Sequence, residues 1–182
     1  MKKVIIPLAP GFEEVEALAV VDILRRAGAE VVLAGTIKGL ITGRNNIHVM
    51  PDATLDEAGG GDYAMVVLPG GAAGTENLLK DGRVKRLITA MNAQGRFVTA
   101  ICAAPTVLSA AGLTKDRTIT SHPSVRSELK AATISDERVV ADGNIITSQG
   151  PGTAMEFAFK LVEALYGKEK VEEVNRGVMA RI

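Results

Sequence analysis

The sequence contains one cysteine, Cys102, and its position between two predicted elements makes it the first candidate for chemistry. Residues 96–101 form an apolar run typical of a buried strand, and residues 103–111 favour a helix with Pro105 near its start. A thiol at such a junction lies near the positive end of the helix, which favours the nucleophilic thiolate. We therefore predict a reactive Cys102 with a lowered thiol pKa; a buried structural cysteine is the alternative.

Glu16 is the candidate acid or base beside this thiol. Apolar residues follow it at positions i+4, i+7 and i+8 of a predicted helix spanning residues 13–27, so its side chain should point inward. A buried carboxyl needs a partner or a proton. We expect a protonated Glu16 that donates a hydrogen bond to the Cys102 sulfur, although the spacing also allows Glu13.

His122 is the third candidate, because it ends a short predicted strand and Pro123 holds it extended. It could act as a proton shuttle or a substrate contact; a helix cap or a solvated loop histidine is the alternative. The only other histidine, His48, lies in a predicted extended segment, and two histidines with one cysteine make a metal site unexpected.

A glycine-rich turn, Gly70-Gly71, follows another apolar run and allows the backbone to approach a ligand closely. Its N–H groups, together with the N–H of Ala103, could form an oxyanion hole. The alternative is a plain turn from a strand to a helix. No phosphate-binding loop is present in the sequence around these glycines.

The elements that position these residues alternate between strands that are apolar throughout and amphipathic helices. This order predicts an α/β fold with a doubly wound, mostly parallel sheet sandwiched by helices, in which ligands bind at the carboxyl ends of strands. The Asp142-Gly143 pair adds an antiparallel hairpin. The predicted strands are 3–9, 30–34, 63–68, 96–101, 118–120, 138–141 and 144–147, and residues 41–50 are expected to form a pair of strands or an extended excursion. The predicted helices are 13–27, the one after Cys102, 153–166 and 168–176, together with either one helix over 76–93 or two helices with a break near Asp81-Gly82.

Length and composition limit the classes of function. The 182 residues suit one domain, 1–182. Lys plus Arg and Asp plus Glu number 21 each, and aromatic residues make up 3%, so neither a field nor a stacking surface for nucleic acid is expected. The sequence has no apolar stretch long enough to span a membrane. A lone cysteine favours a reducing, cytoplasmic setting, and we expect no cofactor.

Five segments together resemble the ThiJ/PfpI superfamily over essentially the whole chain, most closely the branch of the Parkinson-disease-linked protein deglycase and its bacterial relatives. They are Ala-Pro-Gly-Phe-Glu-Glu-Val-Glu (9–16), Leu-Pro-Gly-Gly (68–71), Ala-Ile-Cys-Ala-Ala-Pro (100–105), Thr-Ser-His-Pro (120–123) and Thr-Ser-Gln-Gly-Pro-Gly-Thr (147–153).

The resemblance implies a flavodoxin-like homodimer with Cys102 as the oxidation-sensitive nucleophile, protonated Glu16 as its partner and His122 as an auxiliary residue. The residues that would supply backbone donors are Gly70, Gly71 and Ala103. It also implies three residues at the dimer interface. Arg44 would lie close to the site, and Asp22 and Arg26 would pair across the interface.

The resemblance further implies a cysteine-dependent, cofactor-independent glyoxalase or deglycase that acts on methylglyoxal-type dicarbonyls or their early adducts, with a role in oxidative stress. One alternative is a redox sensor or chaperone that works through Cys102 oxidation. A second is a peptidase of the PfpI type. Relatives of that type place a histidine directly after the cysteine, whereas this chain has Ala103.

Overall fold

A computed structural model describes residues 1–182, in which eleven strands are present. The strands are β1 (Lys3–Leu8), β2 (Glu30–Gly35), β3 (Ile41–Thr42), β4 (His48–Val49), β5 (Ala53–Thr54), β6 (Met65–Leu68), β7 (Phe97–Ile101), β8 (Thr118–Ile119), β9 (Thr133–Ile134), β10 (Val139–Asp142) and β11 (Ile145–Ser148).

Seven α-helices connect and cover these strands. They are α1 (Glu14–Arg26), α2 (Leu55–Ala58), α3 (Ala72–Lys80), α4 (Gly82–Ala93), α5 (Pro105–Ala110), α6 (Ala154–Tyr166) and α7 (Lys168–Val178). Two 3-10 helices, Pro123–Glu128 and Pro151–Thr153, follow β8 and β11. No helix is both long enough and apolar enough to cross a lipid bilayer.

The central sheet has seven strands in the order β10-β11-β7-β6-β1-β2-β5. All neighbours run parallel except β10 and β11, which form the predicted hairpin at Asp142-Gly143. The predicted pair of strands within 41–50 is also present, because β3 and β4 pair antiparallel in a small sheet of their own. The predicted doubly wound, mostly parallel fold is therefore confirmed.

Alternate residues of β1 explain why this strand is apolar throughout. Val4, Ile6 and Leu8 belong to one core cluster with residues of α1 and α6, whereas Ile5 belongs to a second cluster with residues of α3, α4 and α5. A strand between two layers of helices needs an apolar side chain on both faces. The carboxyl end of β1 therefore lies between the layers, next to the carboxyl ends of β6 and β7.

Short elements differ from the prediction. The sequence analysis did not predict β5, β9, α2 or the 3-10 helices, since each spans few residues. For α2 a signal existed: Thr54 and Glu57 form a capping box, in which the hydroxyl accepts from the Glu57 N–H and the carboxylate accepts from the Thr54 N–H. The helix after Cys102 begins only at Pro105 and has six residues.

Candidate active site

Cys102 lies on a strained turn at the carboxyl end of β7. Its φ is 66°, in the left-handed region that residues other than glycine rarely adopt, and it is one of three such non-glycine residues in the chain. The Cys102 N–H donates to the Ser148 carbonyl at 2.9 Å, and the Cys102 carbonyl accepts from the His122 N–H at 2.8 Å. The backbone of the thiol is therefore fixed between two neighbouring segments, as in the nucleophile elbow of hydrolases.

The expected activation of this thiol by a helix N-terminus is wrong. Two residues lie between Cys102 and Pro105, the first residue of α5. This helix has only six residues, so its dipole is correspondingly weak. Burial has the largest effect on the thiol pKa instead, since Cys102 is only 9% exposed. Desolvation, followed by the neighbouring Glu16 carboxylate, raises the pKa of the Cys102 thiol to about 12.

Glu16 is fully buried in the first turn of α1 and faces the thiol. Its Oε2 accepts a hydrogen bond from the Gly70 N–H at 2.8 Å. Its Oε1 has no hydrogen bond of normal geometry, although the carboxyl and the Cys102 thiol interact closely enough to affect each other's pKa. Desolvation raises the pKa of Glu16 to about 7, against the effects of the nearby Cys102 thiol and the Gly70 N–H, which lower it.

These two pKa values describe a pair that holds two protons below about pH 7 and one proton above it. Glu16 loses its proton first, because the raised thiol pKa lies far above that of the carboxyl. The pair then carries one negative charge, which lies on the carboxylate when the proton is on the sulfur and on the sulfur when the proton is on the carboxyl. The reactive thiolate therefore forms by proton transfer from Cys102 to Glu16 within the site, with Glu16 acting as the base.

Of the three predicted backbone donors, Gly71 and Ala103 lie at the sulfur, where their N–H groups lower the thiol pKa against the effect of burial. Gly70 requires a correction: its N–H is occupied by Glu16 and its carbonyl accepts from the Glu13 N–H, so it supports Glu16 and has no free donor for a substrate. Gly71 has a φ of 86°, and a β-carbon there would lie 2.5 Å from the Gly11 carbonyl oxygen, so only glycine fits.

His122 borders the same space as the thiol. A β-carbon placed on Gly150 would lie 3.5 Å from His122 Cδ2 and 4.0 Å from the Cys102 sulfur. The ring Nδ1 is 2.7 Å from the Ser124 hydroxyl and accepts the Ser124 N–H at 3.3 Å. His122 is the N-cap of the 3-10 helix Pro123–Glu128. The histidine therefore caps a helix, which the sequence analysis gave as the alternative, and also lies near the thiol.

A cavity of about 370 Å³ opens over the thiol. Its lining includes three predicted residues besides Cys102, namely Arg44, Ala103 and His122. Thr75 is a lining residue that the sequence analysis missed; its hydroxyl is buried and has no hydrogen-bond partner in the chain. A larger cavity of about 790 Å³ is lined mainly by charged residues and contains no cysteine, serine or threonine. No group of three or more His, Cys, Asp or Glu residues is placed to hold a metal ion.

The loop between β3 and β4 brings Arg44 to the rim of the cavity, where its guanidinium is 3.3 Å from the Glu13 carboxylate. Glu14 anchors this loop: Oε1 accepts from the Asn45 N–H at 2.7 Å, and Oε2 accepts from Asn45 Nδ2 at 2.9 Å. Burial opposes ionisation of Glu14, but hydrogen bonds from the backbone and Asn45 outweigh it and lower the Glu14 pKa.

Asp22 and Arg26 pair with each other on the exposed surface of α1, at 2.8 Å between Arg26 Nε and Asp22 Oδ2. Their predicted pairing across a dimer interface stays a prediction.

The DJ-1/PfpI family profile matches residues 2–164, which is most of the chain. The chain belongs to the DJ-1/PfpI family. The predicted resemblance is confirmed, and within this family the elbow, the buried carboxyl and the cavity described above form the candidate active site.

Family members with curated names cover nearly all of this chain. The protein named dj-1beta of Drosophila melanogaster is 41% identical over 181 residues, covering 98% of this chain and 97% of its own. The glutathione-independent glyoxalase DJR-1.2 of Caenorhabditis elegans is 34% identical over 164 residues, covering 89% and 87%. The solved structure of oxidized DJ-1 from Toxoplasma gondii has a TM-score of 0.97 and 32% identity, with full coverage of both chains.

Proposed function

We propose that this protein is a cofactor-independent glyoxalase that converts methylglyoxal-type dicarbonyls into hydroxy acids, with Cys102 as nucleophile and Glu16 as proton carrier. The observation that carries the proposal is the contact between the buried Glu16 carboxyl, with its pKa raised to about 7, and the only thiol of the chain. A base with a pKa near the working pH transfers protons most efficiently. The glyoxalase name of the nematode relative supports the same reaction.

In the first step, Glu16 accepts the thiol proton while the sulfur forms a bond to the aldehyde carbon. The carbonyl electron pair moves onto the aldehyde oxygen, and this developing charge lies near the N–H groups of Gly71 and Ala103. Glu16 then gives the proton it took from the thiol to that oxygen, which forms a hemithioacetal and restores the Glu16 carboxylate. The carboxyl of Glu16 suits this step because it is buried beside the sulfur and is excluded from solvent.

The second step moves a proton between the two substrate carbons. The Glu16 carboxylate removes the proton from the carbon bonded to sulfur and passes it to the oxygen of the second carbonyl, which gives an enediol. Glu16 then accepts the hydroxyl proton of the carbon bonded to sulfur, so that this hydroxyl becomes a carbonyl, and returns a proton to the neighbouring carbon. The product is a thioester of the hydroxy acid. Water then adds to the thioester carbon and the C–S bond breaks, which releases the hydroxy acid and restores the thiol. The net reaction adds one water molecule to the dicarbonyl and needs no external oxidant or reductant.

The test measures methylglyoxal consumption and hydroxy acid formation in wild type and three variants. Cys102→Ala should abolish turnover, and both Glu16→Gln and Glu16→Leu should lower kcat by about two orders of magnitude or more, the typical contribution of a general acid or base. Undiminished turnover in Cys102→Ala would refute the mechanism. Hydrolysis of early adducts on amines and thiols, measured in parallel, decides whether the enzyme is also a deglycase.

A redox-sensing role is the second candidate, because the same N–H groups that approach the sulfur would also stabilise a sulfinate. The oxidized state named for the Toxoplasma gondii structure supports it. Peroxide treatment followed by intact mass measurement tests this role. A stable addition of two oxygen atoms at Cys102, without measurable dicarbonyl turnover, would favour sensing over catalysis.

We also propose that the protein is a homodimer in a reducing, cytoplasmic setting. Support for the dimer comes from apolar side chains exposed on α1 and on the neighbouring β3–β4 hairpin, with exposed fractions from 37% to 63%. The Ile47 N–H donates to Glu14 Oε1 at 3.4 Å, which places this hairpin against α1. Contiguous exposed apolar surface is typical of an interaction site. The exposed residues are Val15, Leu18, Ile47 and Met50.

A further inference from the structure

We propose that Ser124 is a positioning residue that holds the proton of neutral His122 on Nε2, so that His122 acts on the substrate as an N–H donor rather than as a base. The proposed function leaves the role of His122 open. The structure contains specific contacts on one ring nitrogen and none on the other, and these contacts determine which nitrogen can carry the proton.

The first step concerns Nδ1. The Ser124 backbone N–H donates to this nitrogen at 3.3 Å, so Nδ1 presents its lone pair to the loop. A backbone N–H can only donate, whereas a hydroxyl can rotate to donate or accept. The Ser124 hydroxyl, 2.7 Å from the same nitrogen, therefore also donates. A neutral imidazole whose Nδ1 accepts must carry its proton on Nε2.

The second step concerns the direction of the ring. The His122 N–H donates to the Cys102 carbonyl at 2.8 Å, which ties the histidine backbone to the nucleophile. His122 Cδ2, which is bonded to Nε2, lies towards Gly150, and the Cys102 sulfur borders the same glycine. His122, Ser124 and Cys102 all line the 370 Å³ cavity. The Cδ2–Nε2 edge of the ring, whose Nε2 has no hydrogen-bond partner in the chain, therefore lies on the side of Gly150 that the sulfur also borders.

The third step concerns the chemistry. When the sulfur adds to an aldehyde, negative charge develops on the aldehyde oxygen, and the enediol step places charge on the oxygen of the second carbonyl. A neutral imidazole N–H can stabilise such an oxygen, as in the histidine electrophile of triosephosphate isomerase. With Glu16 serving as the proton carrier, a second base is not needed, whereas a dicarbonyl has two oxygens to stabilise. The identity of this oxygen rests on the proposed function; the position of the ring proton does not.

The test of the ring proton is ¹⁵N NMR of the histidine side chains, recorded at a pH where both rings are neutral. The chain has two histidines, so His48 is an internal reference. Wild type should show His122 with its proton on Nε2. Ser124→Ala should add a measurable fraction of the Nδ1-protonated form, and Ser124→Thr should restore the wild-type spectrum. Ser127→Ala is the matched control, since Ser127 is exposed on the same 3-10 helix and has no side-chain hydrogen bond.

The kinetic test uses the same variants with methylglyoxal. Ser124→Ala should lower kcat about three- to tenfold, because a misdirected donor loses part of its transition-state contact. KM should change less than twofold, Ser124→Thr should recover kcat, and Ser127→Ala should match wild type. A wild-type His122 protonated on Nδ1, or an unchanged kcat in Ser124→Ala, would overturn the inference. If wild type has no turnover at all, the proposed function fails, and the NMR result alone decides the position of the ring proton.

Discussion

Glu16 and Cys102 are both harder to ionise than usual, because both are buried. The difference between their two pKa values assigns their roles. The Glu16 pKa is raised to about 7 and the thiol pKa to about 12, so the carboxyl ionises first and can accept the thiol proton. A thiol that stays protonated in the resting enzyme is also protected from indiscriminate alkylation and oxidation, since the thiolate is the reactive form.

The pH dependence of turnover should therefore follow Glu16. Because the base form is required, kcat/KM should rise about tenfold per pH unit below about pH 7 and level off above it. Steady-state kinetics between about pH 5 and pH 9 provide the measurement. The residual activity of Glu16→Gln should lose this rising limb, while Ser127→Ala should retain it. A profile that is flat across pH 7 in wild type would contradict the role of Glu16 as the base.

The sequence predicted the thiol, the carboxyl and the histidine that the structure brings together, but it could not give the sign of the thiol pKa shift. A helix terminus is a local feature that can be seen in the pattern around Cys102, whereas burial depends on side chains contributed by distant segments. The same reason explains Gly70. Whether its N–H points at Glu16 or at a substrate depends on the backbone direction at the end of β6, which spacing alone cannot specify.

Among the secondary-structure elements, the connection between α1 and the β3–β4 hairpin controls the rim of the cavity. Glu14 accepts hydrogen bonds from two backbone N–H groups and one amide of the loop that carries Arg44. A β-carbon on Gly43 would lie 2.3 Å from Glu14 Oε1, so a glycine is needed for this close approach. The carboxylate therefore fixes the loop relative to α1, and through it the position of Arg44.

Replacing Glu14 with Ala should release this loop and move Arg44 away from the cavity. We expect KM for methylglyoxal to rise several-fold with a smaller change in kcat, because the thiol and Glu16 are not contacted. The free energy of unfolding should fall by about 1–3 kcal/mol, since the part-buried loop donors lose a charged acceptor. Kinetics and urea unfolding measure the two effects. Glu169→Ala, an exposed acid in the first turn of α7, is the control; equal effects in both variants would argue against a specific anchor.

The long strands and helices were predictable because each is long enough to show its pattern of apolar residues. The Asp81-Gly82 pair indicated a possible break between two helices. The connection made by Glu14 was not predictable, because its partners lie 31 to 33 residues away and a hydrogen bond over that separation leaves no local pattern in the sequence. From the sequence, Glu14 is only an acidic residue in the first turn of a helix, where any carboxylate complements the helix dipole.

At the scale of the whole molecule, the exposed apolar side chains of α1 and the hairpin predict self-association. Leu18→Lys should convert a dimer into a monomer, because a lysine ammonium would be desolvated at the interface. Light scattering coupled to size-exclusion chromatography measures the mass. Ile134→Lys is a matched control, since Ile134 and Leu18 are both 37% exposed and Ile134 lies in β9. A monomeric wild type, or dissociation by both substitutions, would contradict the proposed interface.

The left-handed backbone conformation of Cys102 also has a consequence for how the protein evolves. A β-carbon at a φ of 66° costs stability, of order 1–3 kcal/mol, that only a need for the thiol would maintain. In a lineage released from that need, drift at position 102 should favour glycine or asparagine, which tolerate this conformation. Loss of the chemistry would then be accompanied by a gain in stability, so that a more robust descendant of this protein would be the one to suspect of inactivity.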